Sequence, residues 1–327
     1  MPSLFQLTNA PLSEGAKRFC KGIIASNPDA CVFVDGQIST KTLFPTGPIS
    51  VEDTKKLFAK TKLKKTILSL VEELKDKNTI HLTDMTSALL LPPSLFEKTH
   101  FQQLLTRLPA PSEKFQSKLK NLKFIASSQT IAEAWKPLLG TEEIEVSPPP
   151  YLEEFEGKKT EHQSFAIGVI APLEPGFGVE TVIQAFHRNR EILPQVTVIV
   201  VGDGSEKKRL LWLIDHLHLR QRIQFVTSQK NYAGFLQNFD VVVFPNEMVQ
   251  GYNPVLLDAL AQGIPTIATS IGYNLELIEQ GQTGLLFEPQ NSHTLSQHLI
   301  NLYNNPDWME YYQKKGPQFV RDQFGIV

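Results

Sequence analysis

Short apolar runs rich in β-branched residues alternate with stretches of helical periodicity along most of this chain. Residues 3–8 and 30–35 read as strands, with a helical pattern over 16–25 between them. A connection of that length predicts a βαβ unit and a parallel sheet. A Gly-, Pro-, Ser- and Thr-rich stretch at 37–50 predicts a loop. Leu63, Ile67, Leu70, Val71 and Leu74 then fall at helical spacing, followed by a strand near 79–83. Another strand, 123–127, precedes a helix reaching Leu139. Pro148, Pro149 and Pro150 can continue neither ladder, which predicts a linker over 148–160 between an N-terminal domain, 1–147, and a C-terminal domain, 161–327.

Beyond the prolines the alternation is more regular. Strands are expected at 165–171, 196–201, 222–226, 241–245, 266–269 and 284–287, and helices at 179–189, 206–217, 231–237, 254–262 and 274–279. That pattern predicts a doubly wound α/β sheet, whose ligands bind beyond the carboxyl ends of the strands. The loops that matter are therefore 171–178, 202–206, 245–254 and 270–274.

Composition narrows the function classes. With 327 residues the chain is long enough for two cores, and 41% hydrophobic with 20% charged residues is a globular balance. A net charge of −2 gives no general affinity for nucleic acid. Cys20 and Cys31 stand among apolar residues and read as buried free thiols, and no metal-ligand cluster is suggested. No apolar run is long enough to span a bilayer, so a cytoplasmic protein is expected. Lys55, Lys56, Lys60, Lys62, Lys64 and Lys65 beside Leu57, Phe58 and Leu63 form a basic, partly amphipathic stretch. It reads as a solvated face or, at Lys55–Lys65, as a peripheral contact with anionic lipid.

Three elements of the second half carry chemistry. Gly202-Asp203-Gly204-Ser205 follows an apolar strand and opens a helix, and reads equally as a phosphate loop or a tight turn. Gln250-Gly251-Tyr252-Asn253 precedes a helix that begins at Pro254 and carries Asp258, a carboxylate one turn in that can accept hydrogen bonds from a ribose diol. Gly272-Tyr273-Asn274-Leu275-Glu276 leads into Gly281-Gln282-Thr283-Gly284, with Glu276 either a solvated charge or a ligand contact.

Together these elements resemble, over about residues 160–305, the donor domain of the family 4 retaining glycosyltransferases. The resemblance implies the GT-B architecture, two Rossmann-like domains facing each other across a cleft, with a small N-terminal domain. Glu14-Gly15-Ala16-Lys17-Arg18 looks like that family's first-helix opening, and Phe124-Ile125-Ala126-Ser127-Ser128 like the close of its acceptor domain. It implies that Asp258 holds the ribose and that Gly202, Asp203, Gly204, Gly251, Tyr252 and Asn253 contact the donor. Gln250 stands where the family has a Glu and can still hydrogen-bond sugar hydroxyls. His100 lies where a sugar-contacting histidine is common, and His81 is a second candidate on the acceptor side. The implied reaction transfers a sugar from a nucleotide-diphosphate sugar to a glycan, glycolipid or protein acceptor, retaining, without a metal and with no cofactor beyond the donor.

The chain departs from the family in one respect. Residues 163–187 contain neither the Arg nor the Lys that clamps the donor diphosphate. Lys207 and Lys208, or Lys17 and Arg18, are substitutes by position, although solvated helix residues are the simpler reading of them. A second reading follows: an inactive glycosyltransferase-like subunit that binds a partner glycosyltransferase subunit or a glycan. A third, an epimerase on the same architecture, needs acid/base groups that the sequence does not place. The family also ends in a helix crossing back to the first domain, whereas here only a pattern at 319–324 precedes Val327, so a naturally short or cut chain with looser closure is expected.

Overall fold

A computed structural model of the chain describes residues 2–5, 31–33, 79–82, 101–105, 109, 122–148, 151, 164–227 and 233–325. The chain divides into two compact units: Met1–Leu152 together with the last two residues, and Glu153–Gly325. Each is built on a six-stranded parallel sheet.

The first unit contains β1 (Pro2–Phe5), β2 (Cys31–Phe33), β3 (Thr79–Leu82), β4 (Phe101–Leu105), β5 (Lys123–Ala126) and β6 (Ile144–Val146), in the order β2-β1-β3-β4-β5-β6. His81 lies inside β3, paired with Leu4 and Gln102. Helix α1 (Gln129–Leu139) follows β5. It starts where the Ser128 hydroxyl accepts from the Ile131 N–H at 3.2 Å, and stops where Gly140 turns left-handed and donates to the Lys136 carbonyl at 2.9 Å. Ile131, Ala132, Trp135 and Leu139 bury one stripe of it, as the amphipathic spacing requires.

The second unit runs β7 (Phe165–Ile170), α2 (Val179–Asn189), β8 (Val196–Val201), α3 (Lys207–His216), β9 (Ile223–Val226), α4 (Ala233–Leu236), β10 (Val241–Phe244), α5 (Pro254–Ala261), β11 (Thr266–Thr269), α6 (Asn274–Leu277) and β12 (Leu285–Phe287). Helices α7 (Ser292–Asn304) and α8 (Pro306–Phe324) complete it. Strand order is β12-β11-β10-β7-β8-β9. The sheet grows from β7 outward through β8 and β9, then reverses and grows the other way from β10. Between β7 and β10, neighbours in register Val241 to Ile167 and Val243 to Val169, lies the switch point.

Helices cover the strands, so the central ones are buried and read as continuous apolar runs rather than alternations. Val196, Val198 and Val200 of β8, Val241 and Val243 of β10, and Phe186, Val182 and Ile183 of α2 form one core. Each such side chain contributes roughly 1.5–3 kcal/mol by leaving water. Among the described residues, no helix is long and apolar enough to cross a membrane, and no group of three His, Cys, Asp or Glu residues stands together to hold a metal ion.

A pocket at the switch point of the second sheet

The carboxyl ends of β7, β8 and β10 open into a cavity of about 380 Å³, whose described lining residues all belong to the second unit. Ile170, Ala171, Pro172 and Phe177 line it from the β7 side, Val201, Gly202 and Asp203 from β8, and Phe244, Pro245, Asn246, Gln250, Asn253 and Val255 from β10 and α5. Its size falls within the range of about 300–1,000 Å³ usual for small-molecule sites. The wall is mostly apolar, with three carboxamides and one carboxylate; no Lys or Arg lines it among the described residues. Phe177 is part of the wall.

On the β8 side, the glycine-rich turn is committed to its own neighbours. The N–H of Gly202 donates to Val226 O, that of Gly204 to the Asp203 carboxylate, that of Glu206 to Leu173 O and that of Lys207 to Gly204 O. Ser205 donates both its N–H (3.0 Å) and its hydroxyl to Glu174. A Cβ on Gly202 would collide with the Ala171 carbonyl oxygen, and one on Gly204 with that of Leu173. The glycines thus serve a close crossing of two main chains, and Glu174 accepts both Ser205 donors of the turn. The Ser205 hydroxyl and N–H hold Glu174 below the usual carboxylate range. The Gly204 N–H and Lys207 do the same for Asp203, whose Oδ1 lies 3.3 Å from Lys207 Nζ.

On the β10 side the donors are less committed. Asn253 caps α5 by accepting the Leu256 N–H on its Oδ1 at 3.3 Å, and Pro254 follows at the first helical position. The main-chain N–H groups of Gln250, Gly251, Asn253 and Val255 donate to no other described residue. Beneath the loop, Asn246 is tied to Thr269 and Asn274, all three buried.

The expected site residues therefore divide. Gly202, Asp203, Gln250 and Asn253 meet in one pocket wall. Gly204, Lys207, Gly251 and Tyr252 are adjacent in sequence but not on that wall, and the Tyr252 ring packs instead against Tyr273, centroids 5.4 Å apart. Asp258 is fully buried and is not among the described residues of that wall. Val255 lines the pocket and Asp258 lies three residues on, so the helix carries the carboxylate one turn deeper on the same side. Gly15, Lys17, Arg18, His100 and the Lys55–Lys65 stretch lie outside the described residues. Sequence reasoning missed Asn246, Asn274 and Glu174; an isolated Asn after an apolar strand carries no distinguishing signal.

Over residues 152–319 the sequence matches the family described as glycosyl transferases group 1. N-acetyl-alpha-D-glucosaminyl L-malate synthase of Bacillus anthracis is 31% identical over 148 residues, 45% of this chain and 38% of that protein. The O-antigen biosynthesis glycosyltransferase WclY of Escherichia coli is 30% identical over 128 residues, 39% of this chain and 34% of WclY. The matched region thus spans little more than a third of these relatives. Among solved structures, Anabaena Alr3699/HepE in complex with UDP superposes with a TM-score of 0.77 at 18% identity, covering 99% of this chain and 95% of that one. Sucrose-phosphate synthase of Thermosynechococcus elongatus gives 0.70 at 18%, covering 99% and 94%. At that identity the likeness is one of fold, and the two α/β units here share it. With half its length matched in sequence and the fold shared throughout, the chain belongs to the glycosyl transferases group 1 family.

Proposed function

We propose that the chain is a glycosyltransferase that takes a sugar from a nucleotide-diphosphate sugar and passes it to a glycan, lipid-linked or protein acceptor, with retention and without a metal. The observation that supports this most is the position of the cavity, at the topological switch point of a parallel sheet, where the loops after β7, β8 and β10 converge. In this reading the apolar wall of Phe177, Phe244 and Val255 excludes water from the donor. Gln250 and Asn253 hydrogen-bond the sugar and phosphate side, and burial strengthens each of those bonds. Isothermal titration of the full chain with UDP-, GDP-, ADP- and CMP-sugars tests it. Saturable binding of one nucleotide series is expected, and a folded protein that binds none would end the reading.

A second reading is favoured by a specific feature: no cation lines the pocket among the described residues. A diphosphate leaving group gains charge as the glycosidic bond breaks, and a missing positioned donor commonly costs about 2.7–4 kcal/mol of transition-state stabilisation. The alternative is a donor-binding but inactive subunit working with a partner glycosyltransferase. Donor binding without turnover or hydrolysis, measured on the same sample, would select it.

A further inference from the structure

Asn246 lines the pocket yet is only 6% exposed, and a chain of hydrogen bonds fixes which way its amide points. Asn274 Nδ2 lies 3.0 Å from the Thr269 carbonyl oxygen, which can only accept, so this edge of Asn274 must be its NH₂ group. The same nitrogen lies 3.1 Å from Asn246 Oδ1 and 3.1 Å from Thr269 Oγ1. The Thr269 hydroxyl in turn donates to the Asn246 main-chain carbonyl at 2.7 Å. Asn246 must therefore present its oxygen to Asn274 and turn its NH₂ group the other way. One of those two N–H bonds goes to the Met248 carbonyl at 3.2 Å, and the other is uncommitted.

Resting on the donor reading above, we propose that this second N–H of Asn246 is a phosphate-binding donor, and that the donor's diphosphate is received by neutral carboxamides, Asn246, Gln250 and Asn253, instead of by a cation. Three observations converge on it. The pocket wall contains three carboxamides and, among the described residues, no Lys or Arg. The glycine-rich turn that could take an anion already holds Glu174. The main-chain N–H groups of the pocket-lining Gln250, Asn253 and Val255 donate to no other described residue, and Asn253 and Val255 stand at the start of α5. Thr269 and Asn274 are positioning residues: they touch no ligand, and hold Asn246 in the orientation that donates.

A neutral cradle has a signature that a charged clamp lacks. Salt screens an ion pair at a pocket mouth but hardly affects a hydrogen bond from an amide. The test is isothermal titration of the full chain with UDP, GDP and ADP against uridine, guanosine and adenosine, so that the phosphate contribution is the ratio of the two affinities. For the wild type, that ratio is expected to fall less than about threefold between about 50 and about 500 mM NaCl, and to be unchanged by EDTA. Asn246→Asp, isosteric but unable to donate, is expected to reduce the ratio at least about tenfold while leaving nucleoside affinity within about twofold. Asn274→Ala, which frees the Asn246 amide to turn, is expected to reduce the same ratio by a smaller factor, a change that a purely structural role would not confine to the phosphates.

A ratio that collapses with salt, or on adding EDTA, would put a cation or a divalent metal in the role and overturn the proposal. So would a ratio untouched by Asn246→Asp. If the wild type binds no nucleoside diphosphate at all, the donor reading fails and this inference with it; if it binds and the variant binds equally, only this inference fails.

Discussion

Two loops meet at the same edge of the second sheet, and both look like anion sites on paper. The turn after β8 has the glycines, at 202 and 204; the loop after β10 has Gln250, Gly251 and Asn253 before a helix. In the folded chain the first is closed on itself. Five of its six N–H groups, those of residues 202 and 204–207, are taken by Val226, Asp203, Glu174, Leu173 and Gly204, that of Asp203 donates to no described residue, and its glycines make room for the backbone of residues 171–173. The second leaves the N–H groups of Gln250, Asn253 and Val255, all residues of the cavity wall, without an acceptor among the described residues. The lesson is that glycine spacing reports close backbone approach, and that only the hydrogen-bond inventory tells whether what approaches is a ligand or another piece of chain.

The strongest way to break this contrast is Gly202→Ala. Its new methyl group would strike the Ala171 carbonyl oxygen, so a loss of about 3 kcal/mol in denaturant unfolding is expected. A variant of wild-type stability that no longer binds nucleotide would return the turn to the role of phosphate loop. Next comes Asp258→Ala. A fully buried carboxylate is kept by its hydrogen bonds, so its removal is expected to cost about 1–3 kcal/mol of stability with no ligand present. Unchanged stability with weakened nucleotide binding would show instead that Asp258 serves the ligand directly.

A smaller effect sharpens the closed side. Glu174 titrates below its ordinary value of 4.5 because Ser205 donates to it, so its contribution to stability is complete above that value and is lost as pH falls through the lower folded one. Melting temperatures of the wild type and Glu174→Gln are expected to differ slightly at neutral pH and to converge in the acid range. Curves that stay parallel down to acid unfolding would mean that the Ser205 contact contributes nothing to the fold.

Much of the second unit is legible in the sequence, because strands buried on both faces must be apolar throughout. The expected β8 and β11 coincide with Val196–Val201 and Thr266–Thr269, and α2 with Val179–Asn189. Elements without that signature escape. Strand β4 contains Gln102 and Gln103, and β6 is only three residues long. Helix α8 contains Gly316 and Pro317, which read as breakers; in the structure Gly316 lets the helix lie against the Leu260 carbonyl of α5, a contact no local pattern announces. Asp258 shows the same limit: spacing put it correctly on α5, but that helix is apolar nearly all round and buries Leu256, Leu257, Ala259 and Leu260, so the carboxylate is enclosed with them.

The most direct measurement of the central claim is a crystal structure of the full chain with the nucleoside diphosphate that titration selects. The account predicts phosphate oxygens within hydrogen-bonding distance of Asn246, Gln250 and Asn253, with Glu174 still bonded to Ser205. Phosphates seated on Gly204 and Ser205, with Glu174 swung away, would contradict it.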